Sequence, residues 1–283
     1  MKVRKMFRAR IDASLLRECV EAVLAVVDEA RLKIGEEAWK VRAVDPANVA
    51  LVDLELRREA FDEYAFSPPS PTSPPTPPTP SSPPSSPSSP SPQEEGAEEG
   101  SVGIEIGVDF GKFNDILRSG WRKGTVSIIL EDKDKLLVQL DALSYTISLL
   151  DVSSLRKEPK IPALEFSTRV VVDADDFKRT IKAAERIGDH IAMGVEGDKF
   201  YMEAEGEMEK MRFSLRKDEL LHLSGSDCRS LFSLEYLAAM AKGISSETLT
   251  LFIGTDYPLK MEFEIADGGG KVTYLLAPRI EAE

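Results

Sequence analysis

Cysteine, histidine and tryptophan each occur only twice in the 283 residues. Cys19 and Cys228 stand far apart, without C-x-x-C spacing and in ordinary surroundings. They read as small core side chains rather than as a redox pair or a metal clip. His190 and His222 belong to no Ser/His/Asp or H-E-x-x-H arrangement, and no carboxylate stands alone in an apolar run, as a general acid of raised pKa would. Catalytic residues, metal ligands and a cofactor are therefore all expected to be absent, and the chain does not read as an enzyme. Gly268-Gly269-Gly270 lies between two strand patterns, which favours a hairpin turn over a phosphate-binding loop. Runs of about 18 apolar residues are missing, and the opening Met-Lys-Val-Arg-Lys lacks the apolar stretch of a secretory signal. The expectation is a soluble cytoplasmic protein with no membrane partner.

What is present is acid. With 36 basic and 49 acidic residues the net charge is −13, which argues against a nucleic-acid partner unless the charge is divided between faces. The 42% of hydrophobic residues is enough for one large or two medium domains.

Along the chain, Phe7–Asp12 alternates as a strand, and a helical pattern starting at Ser14 turns Leu16, Cys19, Val20, Val23 and Val27 inward. Residues 39–44 and 49–56 alternate as strands around the turn Asp45-Pro46-Ala47-Asn48. Residues 67–92 are almost wholly proline, serine and threonine, and 93–101 add glutamates and glycines. Such an insertion, 67–101, cannot bury a core. Lengthening a surface loop from roughly 5 to roughly 35 residues costs only about 1.7 kcal/mol, so it interrupts a domain without dividing it. A strand over 102–108, a short helix capped by Asp109 and stopped by Gly120, and strands over 125–130, 135–140 and 143–150 follow.

Residues 151–165, with two prolines and mixed charge, form a connector. Beyond it the order recurs: a strand over 166–172; a helix capped by Asp173 or Asp175 and ending at Gly188; strands over 190–195, 199–205, 211–216 and 220–223; a helix from Ser233 to Lys242 stopped by Gly243; and strands over 248–253, 259–265 and 271–276. Phe7-Arg-Ala-Arg-Ile-Asp also resembles Phe166-Ser-Thr-Arg-Val-Val-Val-Asp. The chain thus reads as an internal duplication of class α+β, with domains at 1–150 and 166–283. The four helices sum to no net charge, so the acid lies in sheets and loops. Outward helical bases could track a phosphate backbone without reading bases, although a charged helix face alone is usually only a solvated one.

Three motifs carry a resemblance: Val44-Asp45-Pro46-Ala47-Asn48-Val49-Ala50-Leu51-Val52, Arg186-Ile187-Gly188-Asp189, and Tyr274-Leu275-Leu276-Ala277-Pro278-Arg279-Ile280-Glu281. Together they resemble the proliferating cell nuclear antigen family, especially its archaeal members, over nearly the whole chain from Met6. The resemblance implies a DNA clamp fold: two similar domains with antiparallel sheets outside and helices inside, three copies closing a homotrimeric ring around duplex DNA. It implies a processivity factor that tethers DNA polymerase, clamp loader, flap endonuclease and DNA ligase. By position, DNA-facing bases fall on Arg17, Lys112, Arg118, Lys178, Arg179, Lys182, Arg186 and Lys242. Glu18 and Asp115 stand where relatives more often carry a base. The second domain is therefore expected to dominate, with charge reversal at Lys178, Arg179 and Lys182 impairing sliding or loading more than reversal at Arg17.

A partner-peptide pocket is implied at Val44, Val49, Leu51, Leu155, Ile161, Pro162, Pro258, Ala277, Pro278 and Ile280, with the connector as its lid. The connector charges Arg156, Lys157, Glu158 and Lys160 are expected to tune partner choice. Subunits are expected to join edge to edge through Leu143, Tyr145 and Ile147 on one side and Met211, Phe213 and Leu215 on the other. The alternatives are a subunit of a heterotrimeric clamp, told apart by the stoichiometry of the purified chain, and an acidic protein-binding scaffold that never encircles DNA, told apart by retention on closed circular DNA.

Overall fold

The computed structural model describes residues 6–67, 103–119, 124–132, 134–161 and 163–279. The insertion beyond Ser67 and the helix stop at Gly120 lie outside them. The described chain forms β1 (Phe7–Asp12), α1 (Ala13–Leu24), β2 (Glu29–Ile34), β3 (Ala38–Val44), β4 (Ala50–Arg57), β5 (Glu63–Phe66), β6 (Ile104–Asp109), α2 (Phe110–Ser119), β7 (Thr125–Leu130), β8 (Lys135–Leu140) and β9 (Leu143–Ser148). After the connector come β10 (Thr168–Asp173), α3 (Ala174–Ala184), β11 (His190–Glu196), β12 (Lys199–Glu205), β13 (Lys210–Arg216), β14 (His222–Gly225), β15 (Cys228–Ser233), α4 (Leu234–Lys242), β16 (Thr248–Ile253), β17 (Leu259–Ile265) and β18 (Gly270–Leu276). Strand, helix, five strands, helix and three strands thus occur twice, as the duplication requires.

Three strands escaped the sequence reading. In β2, Ala30, Leu32 and Ile34 alternate inward between exposed or half-buried charges, so the period-2 signal was present but masked by Glu29, Arg31 and Lys33. β5 has four residues, too few to show a period. In β15, Cys228, Ser230 and Phe232 are the buried members, and polar Ser230 breaks the apolar pattern.

The start of α1 is also corrected. Asp12, not Ser14, caps α1, its Oδ1 accepting the N–H groups of Ser14 and Leu15. Asp173 does the same for Asp175 and Asp176 on α3, and Asp109 accepts from Lys112 N on α2. A carboxylate satisfies donors left free in the first turn and faces the positive end of the helix dipole. Ser233 holds the capping position of α4 but makes no side-chain cap bond. Gly243 ends α4 in right-handed geometry. Its lack of a side chain serves close approach, since a Cβ there would lie 2.5 Å from Tyr274 Oη and 3.0 Å from Ala22 Cα.

The strands form three sheets, ordered β5-β1-β7-β8-β9, β14-β10-β16-β17-β18-β4-β3-β2-β6 and β13-β12-β11-β15. The nine-stranded sheet spans both repeats because β18 pairs antiparallel with β4, from Gly270↔Leu56 to Leu276↔Ala50. The hydrophobic core runs continuously through the two halves. On it lie the helices, α2 against α1, α1 against α4 and α4 against α3. Tyr274, fully buried, donates its hydroxyl to Ala22 O at 2.8 Å, locking β18 of the second repeat to α1 of the first.

Cross-strand rows fix how the repeats correspond. Ala9–Ile128–Val138–Tyr145 matches Val170–Leu251–Met261–Tyr274. Likewise Leu32–Val41–Leu54 matches Met193–Met202–Phe213. With Asp12 equivalent to Asp173, the counterpart of Phe7 is Thr168. Phe166, which the sequence aligned with Phe7, instead precedes β10 and packs on Phe252 and Tyr257.

Candidate functional site

Three features have the geometry of a site: the exposed helical face, the connector with the cavity beneath it, and two open sheet edges.

On the helices, an apolar stripe seats each one on the sheets and leaves the bases outside. The two repeats differ in how those bases are neutralised. Arg17 and Arg118 share Glu21, at 3.7 and 3.0 Å. Lys112 is held by Asp109 at 2.8 Å; burial alone would raise the Asp109 carboxyl, but hydrogen bonds and charge from Lys112 bring it below its ordinary range. Lys178 and Arg179 contact Asp175 and Asp176 only at 3.4 and 3.7 Å. Lys182, Arg186 and Lys242 are exposed and form no ion pair with any described residue. Glu18 is not simply an acid among these bases. It reaches across to the second repeat, accepting from Ser245 Oγ at 3.1 Å and Ala266 N at 3.3 Å.

The connector is fastened along the nine-stranded sheet. Arg31 donates to the carbonyls of Leu155 and Arg156, both at 2.9 Å. Arg156 spans the β3–β4 turn, donating to Asp45 O at 3.2 Å, Pro46 O at 3.0 Å and Asn48 Oδ1 at 3.3 Å. Glu158 pairs with Lys33 and with Arg42. Of the connector charges expected to tune partner choice, Arg156 and Glu158 are thus engaged within the chain. Lys33, which pairs with Glu158, and Arg31, which holds the Leu155 and Arg156 carbonyls, lie on β2, the strand that the sequence reading missed.

Asp45 organises the turn under Arg156. It is buried, and its carboxylate accepts from Ala47 N, Val49 N, Ala50 N and Tyr236 Oη at 2.7–3.0 Å. Burial alone would raise this carboxyl, but the donors outweigh it and hold it below the usual range. Asn48 completes the turn at φ 59°, a conformation asparagine tolerates. An Asp-Pro-x-Asn turn is readable in sequence; the bond from Tyr236, almost two hundred residues away, is not.

A cavity of about 410 Å3 opens between the connector and the β2–β3 pair, with Val26, Ala30, Ala43, Val44, Pro46 and Leu155 among its lining. It takes in Val44 and Leu155 of the expected pocket. Val44 lies opposite Leu51, and Leu51 opposite Leu275, on the side of the sheet away from Val52 and Tyr274, which face the core. Ala277 N donates to Val49 O at 2.9 Å, so the C-terminal segment with half-buried Pro278 runs beside that row. Pro258, half-buried, precedes the adjoining β17, and Ile161 is 38% exposed. Pro162 and Ile280 fall outside the described residues.

Among the described residues, the open edges are β9 and β13. The edges β6 and β15 are met by bridges, Gly107↔Leu150 and Leu231↔Arg279, and β5 and β14 have four residues each. β9 and β13, with six and seven residues, carry unpaired ladder groups, the template that another strand completes. On β13, Met211, Phe213 and Leu215 are half-buried and alternate with exposed Lys210, Arg212, Ser214 and Arg216. On β9, Leu143 is exposed and Tyr145 half-buried, whereas Ile147 is buried against its own core. Ile147 therefore has little side chain left to offer a neighbour.

Among the described residues no group of histidine, cysteine and carboxylate side chains could hold a metal, and no helix is long and apolar enough to cross a membrane.

Comparison with known proteins fits this geometry. The family profiles described as the N-terminal and C-terminal domains of proliferating cell nuclear antigen match residues 6–67 and 160–279. A DNA polymerase sliding clamp from Methanosarcina acetivorans is 41% identical over 98% of this chain and 100% of its own length. One from Natronomonas pharaonis is 36% identical over the same shares. Among solved structures, the A. fulgidus clamp bound to the C-terminal region of FEN-1 superposes with a TM-score of 0.82 at 33% identity, covering 98% of this chain and all of that one. The Entamoeba histolytica protein shares the fold, with a TM-score of 0.79 at 18% identity.

Proposed function

The chain belongs to the proliferating cell nuclear antigen family, and from that premise we propose that it is a DNA polymerase sliding clamp, a non-enzymatic ring that encircles duplex DNA and tethers the enzymes that work on it. The observation that carries this reading is the mismatch between the two junctions. β4 of the first repeat is paired with β18 of the second, whereas their counterparts β13 and β9 are open. A chain whose repeats join by one antiparallel seam, and which exposes the two halves of an equivalent seam, closes by repeating that seam head to tail. Carrying over Leu54↔Val272 and Val52↔Tyr274 gives Phe213↔Leu143 and Met211↔Tyr145 between copies. Val52 and Leu54 are fully covered by β18, while Met211 and Phe213 are still half-exposed, so the missing strand supplies the missing cover.

Three copies close the ring, as the family resemblance implies. The helices then line the hole, with Lys182, Arg186 and Lys242, which form no ion pair with a described residue, contributing more field than Arg17, Lys112, Arg118 and Lys178, each of which has a carboxylate within 4 Å. Sequence-independent contact with phosphates needs only such a mildly positive wall. The pocket bounded by Val44, Val49, Leu51, Leu155, Ile161, Pro162, Pro258, Ala277, Pro278 and Ile280 receives a short peptide with apolar anchors from polymerase, flap endonuclease, ligase or clamp loader. The protein works in the cytoplasm on the nucleoid.

The test is topological. Loaded by its clamp loader onto a nicked circular duplex, the protein should stay bound through gel filtration at moderate salt and fall off when the circle is linearised. Equal loss from circle and linear duplex would overturn the proposal. A monomer that closes only with a different chain would replace it with a heterotrimer.

A further inference from the structure

We infer that Arg179 belongs to the junction between copies, where it pairs with Asp141 of the next copy and makes the seam selective for a second copy of this chain. The inference rests on the ring reading above.

It starts from Glu18. Counting from the capping residues, Asp12 in α1 and Asp173 in α3, Arg179 is the counterpart of Glu18. Glu18 leaves the helical face to bind the other repeat at Ser245 and at Ala266 N, the first residue of the β17–β18 turn. The β17–β18 hairpin corresponds to β8–β9, through the rows that align Val138 with Met261 and Tyr145 with Tyr274. When β9 of one copy takes on β13 of the next the place that β18 takes on β4, the β8–β9 turn is carried to α3 as the β17–β18 turn is carried to α1.

The two turns differ in a way that the two side chains match. β17 and β18 close over Ala266–Gly269, since Ile265 pairs with Gly270. β8 and β9 close over Asp141 and Ala142 alone, since Leu140 pairs with Leu143. The shorter turn sits further from the helix, and the longer arginine replaces glutamate. The polarity is matched as well. Glu18 meets a backbone N–H, whereas Asp141 is an exposed carboxylate at φ 49° with no ion pair to any described residue. Arg179 is 76% exposed, with only the marginal contact to Asp176 at 3.7 Å. The cations of β13 itself are already engaged within the chain, Lys210 by Glu203 and Glu205, Arg212 by Glu196 and Glu203, and Arg216 by Asp218 and Glu219. An Arg–carboxylate pair beside a strand seam adds specificity more than raw affinity, because a wrong partner brings like charges together. A chain with an acid in place of Arg179 would be refused at this edge.

Charge reversal separates the possibilities. Light scattering or sedimentation of the full chain, over a range of concentrations, gives the concentration of half-assembly for wild type, Arg179→Asp, Asp141→Arg and the double variant. Each single reversal should raise it by on the order of tenfold, since it sets like charges face to face at every seam, and the double variant should return most of the way to wild type. Arg179 is exposed on its helix, so Arg179→Asp should melt like wild type under conditions where all are monomeric, whereas Asp141→Arg should melt at a lower temperature because arginine replaces aspartate at φ 49°. Singles that assemble like wild type, or a double variant no better than the singles, would overturn the pairing while leaving the ring intact. A wild-type chain that never self-associates would overturn the ring reading itself.

Discussion

At the scale of single residues, two buried polar contacts join distant parts of the chain, and each gives a prediction. Asp45 ties three backbone N–H groups of its own turn to Tyr236 of α4. Removing it in Asp45→Ala leaves those donors without an acceptor, at a cost of about 2–3 kcal/mol by urea unfolding at pH 7. Because its carboxyl is held below the ordinary value, its stabilisation is fully present above the unfolded pKa, near 4, and fades as pH falls through the lower folded value. The gap between wild type and Asp45→Ala should therefore narrow below about pH 4; a constant gap from pH 7 to pH 3 would contradict the assignment. The second contact is Tyr274 Oη to Ala22 O beside Gly243. Gly243→Ala should destabilise by about 1–3 kcal/mol through overpacking. Combining it with Tyr274→Phe, which removes the crowded oxygen, should cost less than the sum of the two single changes in thermal unfolding. Strict additivity would show that the two positions do not touch.

At the scale of elements, the connector and the helices differ from what the sequence suggested. The connector's charges read as free recognition elements because their partners lie on β2 and in the β3–β4 turn. Folding spends Arg156 and Glu158 on fixing the lid in place. Arg156→Ala should accelerate amide exchange in residues 155–158 and weaken binding of an apolar-anchored clamp peptide several-fold, because ordering of the lid then falls to the binding step. Unchanged exchange with unchanged affinity would remove the connector from the pocket. For the helices, charge reversal at Lys178 and Lys182 should shorten residence on circular DNA more than reversal of Arg17. The reason is local pairing: Arg17 shares Glu21 with Arg118, whereas Lys182 forms no ion pair with a described residue.

At the scale of the whole molecule, the seam between copies should be the weak joint. The internal seam has a strand ladder, the Tyr274 bond and the Glu18 contacts to hold it. The proposed seam between copies has a ladder, the Met211, Phe213 and Leu215 face and the solvent-exposed Arg179–Asp141 pair. Phe213→Asp places a charge in that face and should yield a folded monomer by sedimentation, with the circular dichroism spectrum of the wild-type fold and no retention on circular DNA. A ring that survives this change would mean that β13 is not the joining edge.

The duplication, the strand and helix types, the Asp-Pro-x-Asn turn and the family motifs were legible in the sequence, because periodicity and turn chemistry are local and because the two halves repeat. β2, β5 and β15 were not, since interleaved charge, short length and a buried serine hide a period of two. Nor was the cap of α1, where Asp12 and Ser14 are both good capping residues and only backbone geometry chooses. The site divides the same way. Sequence by itself determined which residues are apolar, basic or turn-forming, and so which could form a lining, a pocket or an edge. Tertiary structure decided which of them are already used: that Arg156 and Glu158 are fastened down, that Ile147 faces its own core, that Glu18 crosses to the other repeat, and that β9 and β13 stay open while β4 and β18 are joined. Those outcomes depend on contacts between residues far apart in the chain, which no local pattern of residues encodes.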